Sequence, residues 1–287
     1  MKILIIGSTG MLGNAMIRVL SERVDWDVFG TIRSENATRL FLPHIVERLI
    51  PGVDVEQNDS LIKVFSQIRP NVVINCVGLV KQLRCAEDVL QAIPINTLLP
   101  HRLAKLCELI GSRLIHVSTD CVFLGDKGNY SESDFSDADD VYGKSKFLGE
   151  VAYPHTLTLR TSIIGQELHS AHGLVNWFLS QKEFCKGYTR AIFSGLPTVV
   201  LAQIIRDVLI PLPDLSGIYH VASQPISKYN LLKLIASVYE KSIEIVPDDK
   251  LVIDRSLNAD RFREATGYVT PEWPALIKTM HSYNYVS

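Results

Sequence analysis

The sequence predicts an α/β protein built on a doubly wound parallel sheet, with a smaller α/β region after it. Three observations carry this. Short apolar runs of β type alternate with longer helix-type segments over the first 160 residues. Those runs are apolar on both faces, the pattern of strands covered by helices above and below. A turn rich in glycine then joins the first run to the first helix.

The strand-like runs fall at residues 3–6, 26–31, 46–53, 72–76, 114–117 and 156–159. Helix-type segments at 11–23, 61–68, 98–110 and 142–151 lie between them, with apolar residues near 3.6-residue spacing. After Arg160 the rhythm weakens. Helices are expected at 169–186, 201–211, 229–240 and 260–266, and a short strand at 217–221. Prolines such as Pro197, Pro211, Pro213, Pro225, Pro247, Pro271 and Pro274 mark turns among them. This divides the chain into residues 1–161 and 162–287, with later strand and helix segments free to return to the first part. The acidic stretch 131–140, SESDFSDADD, reads as a solvated surface loop, or as a lid over the residues that follow it.

Composition narrows the class. With 287 residues, 47% of them hydrophobic, the chain can bury a sizeable core. A net charge of −2 gives no long-range field to gather nucleic acid or anionic lipid. The five cysteines are odd in number and show no CxxC pairing or zinc-type spacing, so reduced thiols and no metal are expected. No apolar run approaches the roughly 18 residues that span a bilayer. The expectation is a cytoplasmic protein with neither nucleic acid nor membrane as partner.

Gly7, Gly10 and Gly13 form G-x-x-G-x-x-G after the first run. Glycines there allow a tight turn and let the backbone approach a pyrophosphate, toward which the next helix points its free N–H groups. The 1–161 part is therefore read as a Rossmann-type dinucleotide-binding domain. The second strand ends in Gly30, Thr31, Ile32 and Arg33, with no acid until Glu35. An arginine there accommodates a 2′-phosphate, so NADP(H) is expected over NAD(H). Asp54 and Val55 would neighbour the adenine, and Asn75, Cys76, Val77 and Gly78 the middle of the cofactor.

Tyr142 and Lys146, at i and i+4, share one helical face. A nearby ammonium lowers a phenol's pKa and makes it a usable proton donor and acceptor. Ser118, Thr119 and Asp120 follow the fifth run, at the carboxyl edge where such sheets bind ligands. Thr119 can donate to a carbonyl oxygen that gains charge; a plain loop or cap bond is its structural alternative. Asn96, within or near the fourth helix, would relay protons through water or make a structural bond.

Together these residues resemble the extended short-chain dehydrogenase/reductases, and more narrowly the dTDP-4-dehydrorhamnose reductase family. The matching stretches are GSTGMLG, Asp54 with Val55, RPNVVINC, Asn96, LIHVSTDCVF, VYGKSKFLGE, LRTS and GIYHVAS, spread from residue 1 to about 225. The resemblance implies NADPH-dependent reduction of the C4 keto group of a nucleotide-activated 6-deoxy sugar, used for surface polysaccharide. It implies Thr119, Tyr142, Lys146 and Asn96 as catalytic residues. Gly7, Thr9, Gly10, Met11, Leu12 and Gly13 would cradle the dinucleotide, which Tyr142 and Lys146 would also touch. A smaller C-terminal α/β substrate-binding domain, from about Ser162, would take the nucleotide sugar with Ser118, Asp120, Cys121 and Ile163. A homodimer is compatible with it.

The chain departs from that family where an aromatic residue commonly follows Ser-Thr-Asp and a tryptophan follows Arg-Thr-Ser. Here Cys121 and Ile163 stand instead, and a proline is missing within residues 137–140. Two smaller side chains suggest a sugar other than 4-dehydrorhamnose. Related dehydratases place a glutamate where Cys121 stands, which argues against dehydration. An epimerase that retains its cofactor remains an alternative. So does a regulatory subunit that binds NADP without turnover, as the family member attached to methionine adenosyltransferase does.

Overall fold

In the computed structural model, described for residues 1–81, 84–168 and 173–283, strand and helix alternate through the first half. Strand β1 (Lys2–Ile6) leads into α1 (Met11–Ser21), β2 (Asp27–Thr31), α2 (Pro43–Val46), β3 (Leu49–Ile50), α3 (Asn58–Ile68) and β4 (Val72–Asn75). Then come α4 (Val89–Ala92), α5 (Leu99–Ile110), β5 (Arg113–Val117), α6 (Val141–Leu148) and β6 (Thr156–Arg160). The second half begins with β7 (Ile163–Ile164), α7 (Leu174–Ser180), β8 (Phe184–Tyr188), β9 (Ala191–Phe193), β10 (Leu196–Pro197) and α8 (Thr198–Ile204). It ends with β11 (Gly217–His220), β12 (Ile226–Ser227), α9 (Lys228–Val238), β13 (Glu244–Asp248), β14 (Ile253–Asp254), α10 (Asp260–Thr266) and α11 (Trp273–Ser282).

Seven strands form one sheet in the order β11–β6–β5–β4–β1–β2–β3. Every neighbouring pair is parallel. The chain starts at β1 inside the sheet, winds to one edge, crosses back to β4 and continues to the other edge. The direction of winding reverses between β1 and β4, which opens a crevice at their carboxyl ends. Strand β1 shows why the runs are continuously apolar. Ile3 and Ile5 pack with Met16, Ile17 and Leu20 on one face, while Leu4 and Ile6 pack with Leu61, Phe65, Leu99 and Leu103 on the other.

The second half does not stand apart. Strand β11 extends the sheet beside β6, with Gly217 opposite Leu157 and His220 opposite Arg160. Helix α8 lies on α1, and α11 lies on α8. One core cluster runs from Ile3 to Met280. Three small ladders, β7 with β10, β12–β9–β14 and β13 with β8, lie outside the main sheet. No described helix is long and apolar enough to cross a membrane.

Several elements differ from expectation. Of the run 46–53 only Leu49 and Ile50 pair with β2, because Pro43 starts the short helix α2 just before. The helix expected at 169–186 forms only over α7, with 169–172 outside the described residues. Phe184–Tyr188 instead pairs along its whole length with β13, a partner far away in sequence. Pro274, read as a turn, occupies the first turn of α11, where its missing N–H costs nothing. Between α4 and α5 the chain is π-helical over Ile93–Leu98, and Asn96 lies in that widened turn.

The acidic stretch 131–140 is a partly exposed loop fastened at several points. Asp134 accepts from Ser131 N at 2.7 Å and pairs with Lys127; Asp137 accepts from Leu124 N at 2.8 Å. Asp140 caps α6 by accepting from Gly143 N at 2.7 Å and pairs with Lys81 at 2.5 Å. These carboxylates are spent on fastening the loop.

Candidate active site

The glycine turn has the geometry that a pyrophosphate needs. Gly7 sits at φ +88°, and a Cβ there would stand 2.5 Å from Val77 Cγ2. A Cβ on Gly13 would meet the Gly7 carbonyl oxygen at 2.0 Å, so only glycine lets α1 pack this closely on the turn. Gly10 caps α1 without a side-chain bond, which leaves the first amides of the helix facing outward. Thr31 accepts from Gly7 N at 3.0 Å and braces the turn from β2.

A cleft of about 340 Å³ opens beside this turn. Gly7, Thr9, Gly10, Thr31, Ile32, Arg33, Val53, Val55, Cys76, Val77 and Gly78 line it. Arg33 is exposed at its mouth. Thus the structure brings most of the residues expected at the cofactor into one crevice at the switch point. Asp54 stands beside it between Val53 and Val55, its backbone N–H donating to Ser60 Oγ at 3.1 Å. Leu12 turns into the core instead, and Met11 is partly buried.

At the adjoining strand ends, Thr119 accepts from Cys121 N at 3.1 Å and donates to Asp120 Oδ1 at 3.2 Å. It therefore does cap a short 3₁₀ turn, Asp120–Val122, as its structural alternative foresaw. Burial raises the pKa of the Tyr142 phenol, with Cys121, Asp120 and Asp140 adding to the rise; a hydrogen bond to Thr119 draws it down and is outweighed. This reverses the expected lowering by Lys146. Burial dominates here, and the Lys146 ammonium donates from Nζ to the Val117 carbonyl oxygen at 2.9 Å. Burial brings Lys146 itself down from 10.5 to about 8, against an upward pull from Glu150. Burial also pushes the Cys121 and Cys76 thiols up to about 12, which removes both as nucleophiles.

Asn96 is held by protein at both ends of its amide. Its Oδ1 accepts from Leu79 N at 2.9 Å and its Nδ2 donates to Ser145 Oγ at 3.1 Å, so it braces α6 against the loop after β4. The Ser118 hydroxyl donates to Glu150 Oε1 at 2.8 Å. Ile163 is partly buried against the main core. Three residues, His116, Arg255 and Lys228, escaped the sequence reading, and Asn75, read there only as a neighbour of the cofactor's middle, has partners of its own. Asn75 Oδ1 accepts from Val77 N at 3.1 Å, and its amide lies 3.1 Å from His116 Nδ1. Arg255, whose Nε donates to Phe123 O at 2.7 Å, acts through space with Lys228 on Asp120. These come from segments whose neighbourhood only the folded chain reveals.

The family model described as the RmlD substrate binding domain matches residues 1–257. The chain belongs to this family. Among similar proteins is the dTDP-4-dehydrorhamnose reductase of Aggregatibacter actinomycetemcomitans, 26% identical over 98% of this chain and 99% of that one. Another is methionine adenosyltransferase 2 subunit beta of Danio rerio, 30% identical over 86% of this chain and 76% of the relative. In fold, the chain is similar to the dTDP-4-dehydrorhamnose reductase of Bacillus anthracis solved in complex with NADP. That likeness has a TM-score of 0.80 at 20% identity and covers 99% of this chain and 98% of the other.

Proposed function

We propose that this chain is an NADPH-dependent reductase of the C4 keto group of a nucleotide-activated 6-deoxy sugar, serving surface polysaccharide biosynthesis. One observation carries the reading: a phenol kept protonated, Tyr142, shares the strand-end site with the Thr119 hydroxyl and lies on the Lys146 helix, beside a dinucleotide cleft. Reduction needs a proton donor, and a neutral phenol placed beside the Thr119 hydroxyl holds a proton to give.

NADPH, held at the turn of Gly7, Gly10 and Gly13, would supply the hydride for the carbonyl carbon. Thr119 turns its hydroxyl from Asp120 to the carbonyl oxygen and steadies the charge that develops there. Tyr142 gives that oxygen its proton, which completes the alcohol and leaves a phenolate. The Lys146 ammonium, charged below about pH 8, favours that phenolate until a solvent proton replaces the one lost. Burial of the Lys146 side chain keeps water from screening the effect.

Arg33 at the cleft mouth supports NADPH over NADH. The charges of Arg255 and Lys228 suit the diphosphate of a nucleotide sugar, bound mainly by segments from residue 162 onward. Cys121 and Ile163, in place of larger aromatics, leave room for a bulkier sugar than 4-dehydrorhamnose, such as a 2-acetamido one. Five free thiols fit the reducing cytoplasm, and a homodimer is compatible with this reading.

The test is NADPH consumption on a panel of UDP-, dTDP-, GDP- and CDP-linked 4-keto sugars. Steady oxidation of added NADPH supports the reductase over an epimerase, which would keep its cofactor. Tight NADPH binding with no turnover on any sugar sinks the reductase and supports a regulatory subunit. Best activity on dTDP-4-dehydrorhamnose overturns only the pocket argument.

A further inference from the structure

Glu150 lies two residues beyond α6, one helical turn after Lys146. Its side chain is 2% exposed and that of Arg160, on β6, is 4% exposed. Arg160 grips it with two parallel bonds, Nε to Oε1 and Nη2 to Oε2, each 2.8 Å. The same Oε1 also accepts from Ser118 Oγ at 2.8 Å. Arg160 is steadied in turn by the Phe123 ring, 5.2 Å from its guanidinium carbon, and by Ser136 Oγ at 3.3 Å.

Lys146 and Glu150 thus hold consecutive residues of one strand end. Lys146 Nζ donates to the carbonyl of Val117, and Glu150 accepts from the hydroxyl of Ser118. The next residue is Thr119. Burying an ion pair is costly and gives little net stability against an apolar replacement. A bidentate pair under an active site is more economically explained by what it orients.

We infer that Glu150 is a positioning residue, a buried carboxylate that locks the Ser118–Thr119 turn to the end of the Tyr142–Lys146 helix and keeps a negative charge beside the Lys146 ammonium. The sign of the electrostatic effect on Lys146 agrees with this placement. Glu150 pulls the pKa of Lys146 up against burial. The other groups facing Lys146 offer no such help. His116, on β5, is held neutral by burial and by Lys146 and His101, and Tyr142 is a neutral phenol.

The activity arm of the test rests on the reductase reading, whereas the binding arm does not. In Glu150→Gln we expect kcat to fall about tenfold to a hundredfold with little change in the KM of the sugar. The alkaline limb of the pH profile, for kcat and for NADPH binding by fluorescence, should move down by about one pH unit, because Lys146 loses its counter-charge. Ser118→Ala, which keeps the ion pair, should lower kcat severalfold and leave that limb in place. If Glu150→Gln fails to fold, Glu150→Gln with Arg160→Gln removes both charges together and takes the same measurements. A folded Glu150 variant with unchanged kcat and an unmoved alkaline limb overturns the inference. A wild-type protein that binds NADPH with that limb but reduces no 4-keto sugar overturns the reductase reading and leaves this one standing.

Discussion

Gly149 meets the backbone of Asn96 so closely that a Cβ at 149 would stand 1.9 Å from the Asn96 carbonyl oxygen. The π-helical turn and the end of α6 are thereby pressed together, and Thr97 Oγ1 donates to Ser145 O at 2.8 Å across the same seam. Gly149→Ala should force them apart and lower the unfolding free energy by about 1–3 kcal/mol, the usual scale for overpacking. Urea unfolding followed by circular dichroism measures this. An unchanged midpoint would refute the close approach.

Tyr142→Phe removes the proton donor and little else. We expect kcat to drop by roughly 10²-fold or more, with NADPH affinity close to wild type. Stopped-flow oxidation of NADPH and fluorescence titration check the two halves. Full activity in this variant would remove Tyr142 from the chemistry.

Arg33→Ala should weaken NADPH alone. A charge-assisted hydrogen bond contributes roughly 1.5–3 kcal/mol, so the preference for NADPH over NADH should shrink by at least tenfold. Titration with both cofactors decides the matter. An equal loss for the two would show that Arg33 does not read the 2′-phosphate.

Lys146→Met should stabilise the cofactor-free protein near pH 7. The folded pKa, about 8, lies below the ordinary 10.5, so between those values the unfolded chain holds the extra proton. Stability therefore rises with pH across that window, and below it the buried charge costs on the order of 3 kcal/mol. The lost bond to Val117 takes back part of the gain, leaving about 1–3 kcal/mol at pH 7. The advantage should shrink by pH 9.5. Urea unfolding at both pH values measures it, and a variant less stable than wild type at pH 7 would reverse the sign.

What the sequence made legible was whatever depends on neighbours along the chain. The apolar runs became six of the seven sheet strands, since a strand covered on both faces leaves a mark that needs no partner to be read. The turn at Gly7, Gly10 and Gly13 was legible for the same local reason. The strand Phe184–Tyr188 was not, because it exists only by pairing with Glu244–Asp248. Thr119, Tyr142 and Lys146 could be picked out by spacing and setting, but their electrostatics could not. The raised Tyr142 and lowered Lys146 follow from burial, which no motif encodes. Pro274 misled because the same residue that ends one helix opens another.

The return of β11 to the sheet and of α11 to the first core bears on how the protein is made. While the ribosome is still adding the residues after about 217, at about 5–20 residues per second, β6 is a bare edge and the outer face of α8 lacks its cover. The nascent chain thus carries an open strand edge and an oily helix face for several seconds, and both are sealed only once Trp273–Ser282 has emerged and packed.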